Sequence, residues 1–188
     1  HPIQQTVTYV TKRDIHGGIL EDDIVLFPYE EVLKNPKAQA ANFKHIEEES
    51  NRLTPQRIVQ QTGNKFMVVN APYPPMTTEE IDHSFDLPYT RLPHPRYKGK
   101  RIPAYEMIKH SVNIHRGCFG GCNFCALTFH QGRSVRSRSI ESVLEEARYL
   151  TTFPDFKGYI HDVGGPTANF RYPACDKQIK YGSCTDKH

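Results

Sequence analysis

The sequence predicts an α/β fold with a parallel βαβ unit in its C-terminal half. Apolar and polar side chains alternate over residues 108–115, which is the pattern of a half-buried strand. Ser139 caps a predicted helix over residues 139–151, and a second strand-like run follows at residues 159–163. The apolar face of this helix is predicted to consist of Ile140, Val143, Leu144, Ala147 and Leu150. A strand, a helix and a strand in this order predict two parallel strands joined by a right-handed crossover.

The N-terminal part predicts short strands and one longer helix. Residues 6–11, 24–27 and 65–70 are strand-like, and residues 35–53 have the pattern of a helix that Asn35 caps. The apolar residues expected to form its inward-facing stripe are Ala40, Phe43, Ile46 and Leu53. The acidic residues expected to be solvated are Glu47, Glu48 and Glu49. This part is therefore predicted to be an irregular α+β segment.

A capping box and a run of prolines connect these two parts. Thr77 and Glu80 have the spacing of a capping box, which predicts a short helix after Thr77. Four prolines within residues 88–103 exclude a regular helix there. We interpret this stretch as an extended strap that covers the following domain.

Three cysteines, Cys118, Cys122 and Cys125, follow the first strand of the βαβ unit at C-x3-C-x2-C spacing. Thiolates this close in sequence can converge on one metal centre, and the glycines among them let the backbone wrap around it without Cβ clashes. Three thiolates are one short of the four that usually bind a [4Fe–4S] cluster or a structural zinc. A cluster bound by three thiolates keeps one iron open for another ligand.

Composition and charge exclude several classes of protein. The 188 residues are 37% hydrophobic and carry a formal net charge of +3, and no apolar run is long enough to predict a membrane span. Three of the five cysteines are clustered, which favours metal binding in a reducing compartment over a disulfide framework. We therefore expect a cytoplasmic protein with no membrane partner. Because the chain begins at His1 without a methionine, we expect it to be part of a longer protein.

Two basic segments, 96–101 and 133–138, are candidates for binding nucleic acid. Their basic residues are Arg96, Lys98, Lys100 and Arg101 in the first and Arg133, Arg136 and Arg138 in the second. Such cations can contact phosphates. The simpler interpretation is that both segments are solvated.

Three motifs in order resemble the YgiQ-like radical S-adenosylmethionine (SAM) proteins. They are Tyr105-Glu-Met-Ile-Lys, Asn113-Ile-His-Arg-Gly-Cys-Phe-Gly-Gly-Cys-Asn-Phe-Cys and Asp162-Val-Gly-Gly-Pro-Thr-Ala-Asn. The cysteine spacing, with Phe124 directly before the last cysteine, is similar to the signature of the whole radical SAM superfamily. The motifs lie within residues 105–169, and a looser likeness extends back to about Leu26.

The resemblance implies a fold, two cofactors and a reaction. The fold would be the first one or two βα units of a partial (β/α)6 TIM-like barrel over residues 105–188, preceded by the irregular segment 1–104. The three thiolates would bind a [4Fe–4S] cluster whose fourth iron chelates SAM. An electron from the cluster would cleave SAM to a 5′-deoxyadenosyl radical. A small electron donor such as flavodoxin or ferredoxin would be the partner, and the substrate stays open.

The resemblance also implies residues that contact SAM. Phe124 would lie near the adenine, and a packing role is the alternative. Gly164 and Gly165 occupy the place of a Gly-Gly-Glu-like motif that binds the SAM amino group, and a tight turn is the alternative. Pro166 stands where the acidic residue would be, so another oxygen must accept from the ammonium. The candidates for that oxygen are the backbone carbonyls of the two glycines and the side chains of Asp162 and Asn169.

Two other functions fit the same residues. A structural zinc or an electron-transfer cluster, completed by Cys175 or Cys184, would need no SAM. A nucleic-acid-binding segment would use the two basic segments and would bind heparin with a steep salt dependence.

Overall fold

The computed structural model describes residues 3–15, 17–165, 170–171 and 176–182. The chain divides into two compact units, one of His1–Pro75 with Asp176–His188 and one of Met76–Cys175. The domain boundary predicted after residue 104 stays a prediction. In the described part of the chain, no helix is both long enough and apolar enough to cross a membrane.

The secondary structure is mixed α and β. The strands are β1 (Val7–Thr11), β2 (Ile24–Leu26), β3 (Ile58–Thr62), β4 (Lys65–Val69), β5 (Ser111–Asn113), β6 (His115–Arg116), β7 (Arg136–Ser137) and β8 (Asp162–Gly164). The α-helices are α1 (Tyr29–Val32), α2 (Pro36–Asn51), α3 (Thr78–Phe85), α4 (Pro103–Ile108), α5 (Leu127–Gln131), α6 (Ile140–Thr151) and α7 (Asp176–Tyr181). The predicted capping box of Thr77 and Glu80 begins α3. The proline-rich strap contains a short 3-10 helix, Pro95–Tyr97, before α4 begins at Pro103.

The first unit contains a four-stranded sheet with the strand order β1-β4-β3-β2. β1 and β3 each pair antiparallel with β4, and β2 pairs parallel with β3. β1, β2 and β4 confirm the predicted strands, whereas β3 was not predicted. β3 and β4 form a hairpin whose tight turn includes Gly63 at a φ of 59°. Glycine adopts this left-handed conformation without strain. A glycine turn directly before the predicted β4 is typical of a hairpin, so β3 could have been predicted as its other strand.

A small apolar core lies on one face of this sheet. Ile15, Val59 and Val68 are buried, and Val10 and Phe66 pack against them. Burying each large apolar side chain contributes roughly 1.5–3 kcal/mol. The register of the hairpin decides which side chains reach this core, because a shift of one residue would turn Val59 and Val68 toward the opposite face.

Helix α2 confirms the predicted helix but not its predicted orientation. The Asn35 side chain caps it by accepting two backbone N–H groups of the first turn. The predicted inward-facing stripe is wrong, because Phe43 and Ile46 are 58% and 38% exposed. Ala40, on the same stripe, is exposed as well.

The buried face of α2 is polar because its side chains bond to backbone groups of neighbouring segments. Asn42 accepts from the Phe27 N–H at 2.9 Å and donates to the Phe27 carbonyl at 3.1 Å. Glu49 is also buried, where it accepts from the Gln56 N–H at 2.7 Å and pairs with Arg52 at 3.0 Å. The prediction that the three glutamates are solvated is therefore wrong for Glu49.

The second unit contains the βαβ arrangement that the sequence predicts. β5 and β8 pair parallel, with Asn113 opposite Gly164, and α6 lies between them in the chain. The first strand is shorter than the predicted range of 108–115, because Ile108 is the last residue of α4. β6 and β7 form a second, antiparallel pair.

Helix α6 packs its apolar face against β5. Val112, Ile114 and Leu150 form the buried core between them. The partly buried residues around this core are Val143, Ala147, Phe153 and Ile160. Ile140 and Leu144, which the sequence assigns to the same helix face, are exposed. A pair of strands covers only part of the apolar stripe on this helix.

Candidate metal centre

The three cysteines lie on one loop, residues 117–135, which we call the cysteine loop. The chain leaves the carboxyl end of β5, passes through β6 into this loop and returns through β7. The antiparallel pairing of β6 with β7 closes the base of the loop. Inside it, the Cys118 N–H donates to the Gly132 carbonyl at 3.0 Å. The first cysteine is therefore held by the returning part of the loop.

Gly117 is the first residue of the cysteine loop, where the backbone conformation and the close packing both require glycine. Its φ is 85°, a left-handed conformation that glycine adopts far more easily than other residues. A Cβ at this position would lie 2.2 Å from the carbonyl oxygen of Ser134, so the two sides of the loop approach too closely for any side chain. The positive φ and the close approach of Ser134 explain why this position is a glycine.

Arg138 joins both ends of the cysteine loop to α6. Its backbone N–H donates to the Ile114 carbonyl at 2.9 Å, and its guanidinium donates to the Asn113 carbonyl at 3.0 Å. The same guanidinium donates to the Ser142 hydroxyl at 2.7 Å and pairs with Glu146. These bonds fix the position at which the loop leaves the sheet and the position at which it returns.

The interpretation of segment 133–138 as solvated is wrong for two of its three arginines. Arg133 and Arg138 are 5% and 1% exposed. Glu146 balances the buried charge of Arg138 and also pairs with Arg91 from the proline-rich strap. A guanidinium is stable in a buried position when it is paired and hydrogen-bonded in this way.

The three thiols differ in exposure. Cys118 is buried, Cys125 is half-buried and Cys122 is exposed. A Cβ at Gly120 would lie 3.3 Å from the Cys118 sulfur and 3.8 Å from the Cys122 sulfur, so this glycine lets the backbone pass close to both thiols. Within the described residues, no three cysteine, histidine or carboxylate side chains converge on one point. The donor set of three thiols fits an iron–sulfur cluster, whose binding would have to draw the sulfurs together.

Phe124 and Phe119 have different surroundings within the loop. Phe124 is 93% exposed, so it does not pack against the part of the chain that the structure describes. Phe119 is the aromatic residue that packs, with its ring stacked on Phe170 at a centroid distance of 4.1 Å. Phe170 also lies 6.2 Å from the His115 ring. The predicted contact of Phe124 with adenine stays a prediction.

Gly164 and Gly165 have packing roles that are independent of any ligand. The Gly164 carbonyl accepts from the Ile114 N–H at 2.9 Å and so extends the β5–β8 pairing. A Cβ at Gly165 would lie 1.8 Å from Nε2 of His115, so this glycine permits close contact with the imidazole. Asp162 is exposed at the start of β8. The roles predicted for these residues in binding SAM stay predictions.

Some predicted residues lie outside the described part of the chain. They are Pro166, Asn169, Cys175 and Cys184. His115, which packs against Gly165 and Phe170, was not among the residues predicted from the sequence, and Arg138 was predicted only as a phosphate-binding or solvated cation. The alternation over residues 108–115 puts His115 on the polar side of the strand, but only the structure shows that this side chain is fully buried.

The first part of the chain matches a known protein family. The family model described as Radical SAM N-terminal matches residues 1–111. The chain belongs to this family. The match ends at residue 111, before the cysteine loop begins.

Relatives of this radical SAM chain are named UPF0313 protein, and they bear out its likeness to the YgiQ-like proteins. One from Bacteroides thetaiotaomicron is 59% identical over 168 residues, which cover 87% of this chain and 27% of the relative. One from Porphyromonas gingivalis is 61% identical over 149 residues, or 79% of this chain and 24% of the relative. One from Clostridium botulinum is 47% identical over 181 residues, or 96% of this chain and 28% of the relative. The chain thus spans about a quarter of the length of these relatives. No solved structure matches it.

Proposed function

We propose that this protein is a radical SAM enzyme in which Cys118, Cys122 and Cys125 bind a [4Fe–4S] cluster. The observation that carries the proposal is the position of the cysteine loop. It leaves the carboxyl end of β5, which pairs parallel with β8. The carboxyl ends of parallel strands are where βα loops assemble active sites. Membership of the radical SAM N-terminal family supports the same reaction class.

The proposed chemistry needs one electron and SAM. When bound, the cluster supplies an electron that cleaves SAM into methionine and a 5′-deoxyadenosyl radical. The chain itself positions the ligands: Cys118 is buried and held by its N–H bond to Gly132. The Cys125 N–H donates to the Cys122 carbonyl at 3.0 Å, so the other two ligands share one turn on the exposed side of the loop. Three thiols leave one iron for SAM, and a flavodoxin or ferredoxin would be the electron donor.

Phe124, with its exposed ring, would lie near the adenine. Gly164 ends β8 and its carbonyl already accepts from Ile114, whereas Asp162 begins this three-residue strand and has an exposed carboxylate. We therefore expect Asp162 or the Gly165 carbonyl to accept from the SAM ammonium, and Asp162 is the candidate that a side-chain substitution can test. β5 and β8 would then be the first two strands of a partial (β/α)6 barrel. Because its thiolates must stay reduced, the enzyme would work in the cytoplasm.

Loss of Asp162 should weaken SAM binding without loss of the cluster. We expect Asp162→Ala to reduce the affinity for SAM about tenfold, or about 1.4 kcal/mol. Calorimetric titration of the reconstituted full-length protein measures this, with Glu141→Ala, an exposed carboxylate on α6, as the matched control. Unchanged affinity in Asp162→Ala would mean that another group binds the ammonium. Gly165→Val is a poor test, because its side chain would collide with His115 whether or not SAM is bound.

Anaerobic reconstitution with iron and sulfide tests the cluster. The full-length protein should bind about four irons. Changing Cys118, Cys122 or Cys125 to Ala should abolish binding, whereas the control Cys175→Ala should not. The reduced protein, treated with dithionite and SAM, should release 5′-deoxyadenosine.

The second candidate is a structural zinc or an electron-transfer cluster with a fourth cysteine ligand. The same experiment separates the two. Loss of the metal in Cys175→Ala, or a stable cluster that never yields 5′-deoxyadenosine, would contradict the radical SAM proposal and favour this alternative.

A further inference from the structure

The second unit carries a groove that is distinct from the cysteine loop. Its volume is about 570 Å³, and its walls come from α3, α4, α6, β6 and the proline-rich strap. We call it the α3–α4 groove. The apolar and aromatic residues that line it include Ile81, Phe85, Tyr89, Leu92, Tyr105 and Ile108. Small-molecule sites in proteins have volumes of roughly 300–1,000 Å³ and walls of this composition.

The rim of the groove exposes apolar surface. Tyr89, Leu92 and Ile108 are exposed, whereas Ile81 at its base is buried. The two tyrosine hydroxyls in the walls are already used, because Tyr89 donates to the Ser84 carbonyl at 2.9 Å and Tyr105 to the Arg91 carbonyl at 2.9 Å. The walls therefore offer apolar contact and few free hydrogen-bonding groups.

Most of the charges in the groove are neutralised by neighbours. Arg91 pairs with Glu146, which also pairs with the buried Arg138. Lys109 pairs with Glu106 at 2.9 Å and with Asp155 at 2.6 Å. Because they are already in ion pairs, Arg91 and Lys109 are poor candidates for binding an anionic ligand.

Arg116 differs from Arg91 and Lys109 in its surroundings. Among the residues that the structure describes, no carboxylate lies within ion-pair distance of its guanidinium. That guanidinium lies over the Phe85 ring, 5.2 Å from the centroid, beside the apolar wall of the groove. A planar guanidinium next to an apolar wall can bind a carboxylate with two parallel hydrogen bonds.

We propose that the α3–α4 groove binds a small monocarboxylate with an aromatic or apolar body. The body would lie against Phe85 and Ile108, and the carboxylate would pair with Arg116. A single negative charge fits better than a doubly charged phosphate, because Arg116 is the one cation of the groove lining without an ion-pair partner among the described residues. The site uses none of the three cysteines, although Arg116 directly precedes the cysteine loop.

The test uses 2-naphthoate as the probe in calorimetric titration of the full-length protein. The neutral analogue 2-naphthalenemethanol has the same ring system and reports the apolar contribution alone. We expect 2-naphthoate to bind about tenfold more tightly than the alcohol. Arg116→Gln should remove this preference and leave binding of the alcohol unchanged. Ile108→Asp should weaken both probes, because it places a charge in the apolar wall.

Arg101→Gln is the matched control, since it removes an exposed cation outside the groove lining and should change neither affinity. Thermal unfolding of each variant checks that it is folded. The proposal is overturned if 2-naphthoate does not bind, if it binds no better than the alcohol, or if Arg116→Gln leaves its affinity unchanged. Tighter binding of 2-naphthyl phosphate would overturn the choice of a monocarboxylate. Equal binding with and without reconstituted iron would support a site that is separate from the cluster.

Discussion

Two basic segments of the second unit, 96–101 and 133–138, lie in different surroundings although their sequences look alike. All residues of segment 96–101 are exposed, and the nearest aromatic contact of Arg96 is its own neighbour Tyr97. In segment 133–138, Arg133 and Arg138 are buried. The first segment confirms the interpretation of a solvated charge run, and the second contradicts it.

The difference lies in the partners that the fold provides. Arg138 reaches the Asn113 carbonyl, 25 residues away in the sequence, and also the Ser142 hydroxyl and the Glu146 carboxylate on the helix that directly follows it. Without such partners a buried guanidinium would be strongly destabilising, so segment 96–101 stays in water. A run of cations in a sequence thus does not reveal whether the acceptors needed for burial exist.

The largest effect should come from removing the buried charge. Arg138→Met should lower the free energy of unfolding by about 3–5 kcal/mol, because the Asn113 carbonyl and Ser142 lose their buried donor and Glu146 keeps only Arg91 as a partner. Arg101→Met is the control and should change it by less than about 0.5 kcal/mol. Urea unfolding followed by circular dichroism measures both. Equal effects of the two variants would contradict the conclusion that Arg138 is buried and Arg101 is solvated.

Two glycines near these segments allow a second test. Gly117→Ala should cost about 2–4 kcal/mol, from the left-handed backbone and from overlap with the Ser134 carbonyl. Gly99 has a similar φ of 77° but open space around it, so Gly99→Ala should cost only about 1–2 kcal/mol. Both variants lose free energy of unfolding through the left-handed backbone. The additional loss in Gly117→Ala measures the cost of the overlap with the Ser134 carbonyl. If Gly99→Ala proved the more damaging change, the loop would not be closed as described.

A smaller effect is expected at Arg57, a partly buried arginine of the first unit. It donates to both oxygens of Asp23, at 2.8 and 2.6 Å. Burial alone would raise the pKa of Asp23, but the hydrogen bonds from Arg57 and the Leu20 N–H outweigh burial and hold this pKa below its ordinary value. A depressed pKa means that Asp23 stabilises the fold above about pH 4 and loses this contribution as the pH falls through the folded-state pKa.

Asp23→Asn should therefore lower the free energy of unfolding by about 1.5–3 kcal/mol at neutral pH. The difference from the unmodified protein should shrink as the pH is lowered from about 5 to about 3. Asp22→Asn, at an exposed neighbouring carboxylate, is the control and should show little difference at any pH. A difference that grows on acidification would contradict the sign of the pKa shift.

Helices α2 and α6 show that sequence periodicity predicts the position of a helix better than it predicts which face is buried. Both begin where the sequence predicts, because Asn35 and Ser139 are local caps that need no tertiary partner. For α6 the apolar stripe packs on β5 around Leu150. For α2 the stripe that includes Phe43 is exposed, and the helix buries polar side chains such as Asn42. Helix boundaries depend on neighbouring residues in the sequence, whereas the choice of buried face depends on what the fold brings alongside.

Three features could be predicted from the sequence alone: the helix caps, the motif that carries the three cysteines, and the order strand, helix, strand. The caps and the motif depend on residues a few positions apart, and the parallel pairing of β5 with β8 follows from the order of the elements. The burial of Arg138 and His115 depends on the tertiary structure, because Arg138 needs the Asn113 carbonyl, 25 residues away, and His115 packs against Gly165. The same holds for the α3–α4 groove, whose walls come from elements separated by up to 70 residues, Met76 to Glu146. Long-range contacts have no periodic signature in a single sequence, and for that reason the groove became visible only in the folded chain.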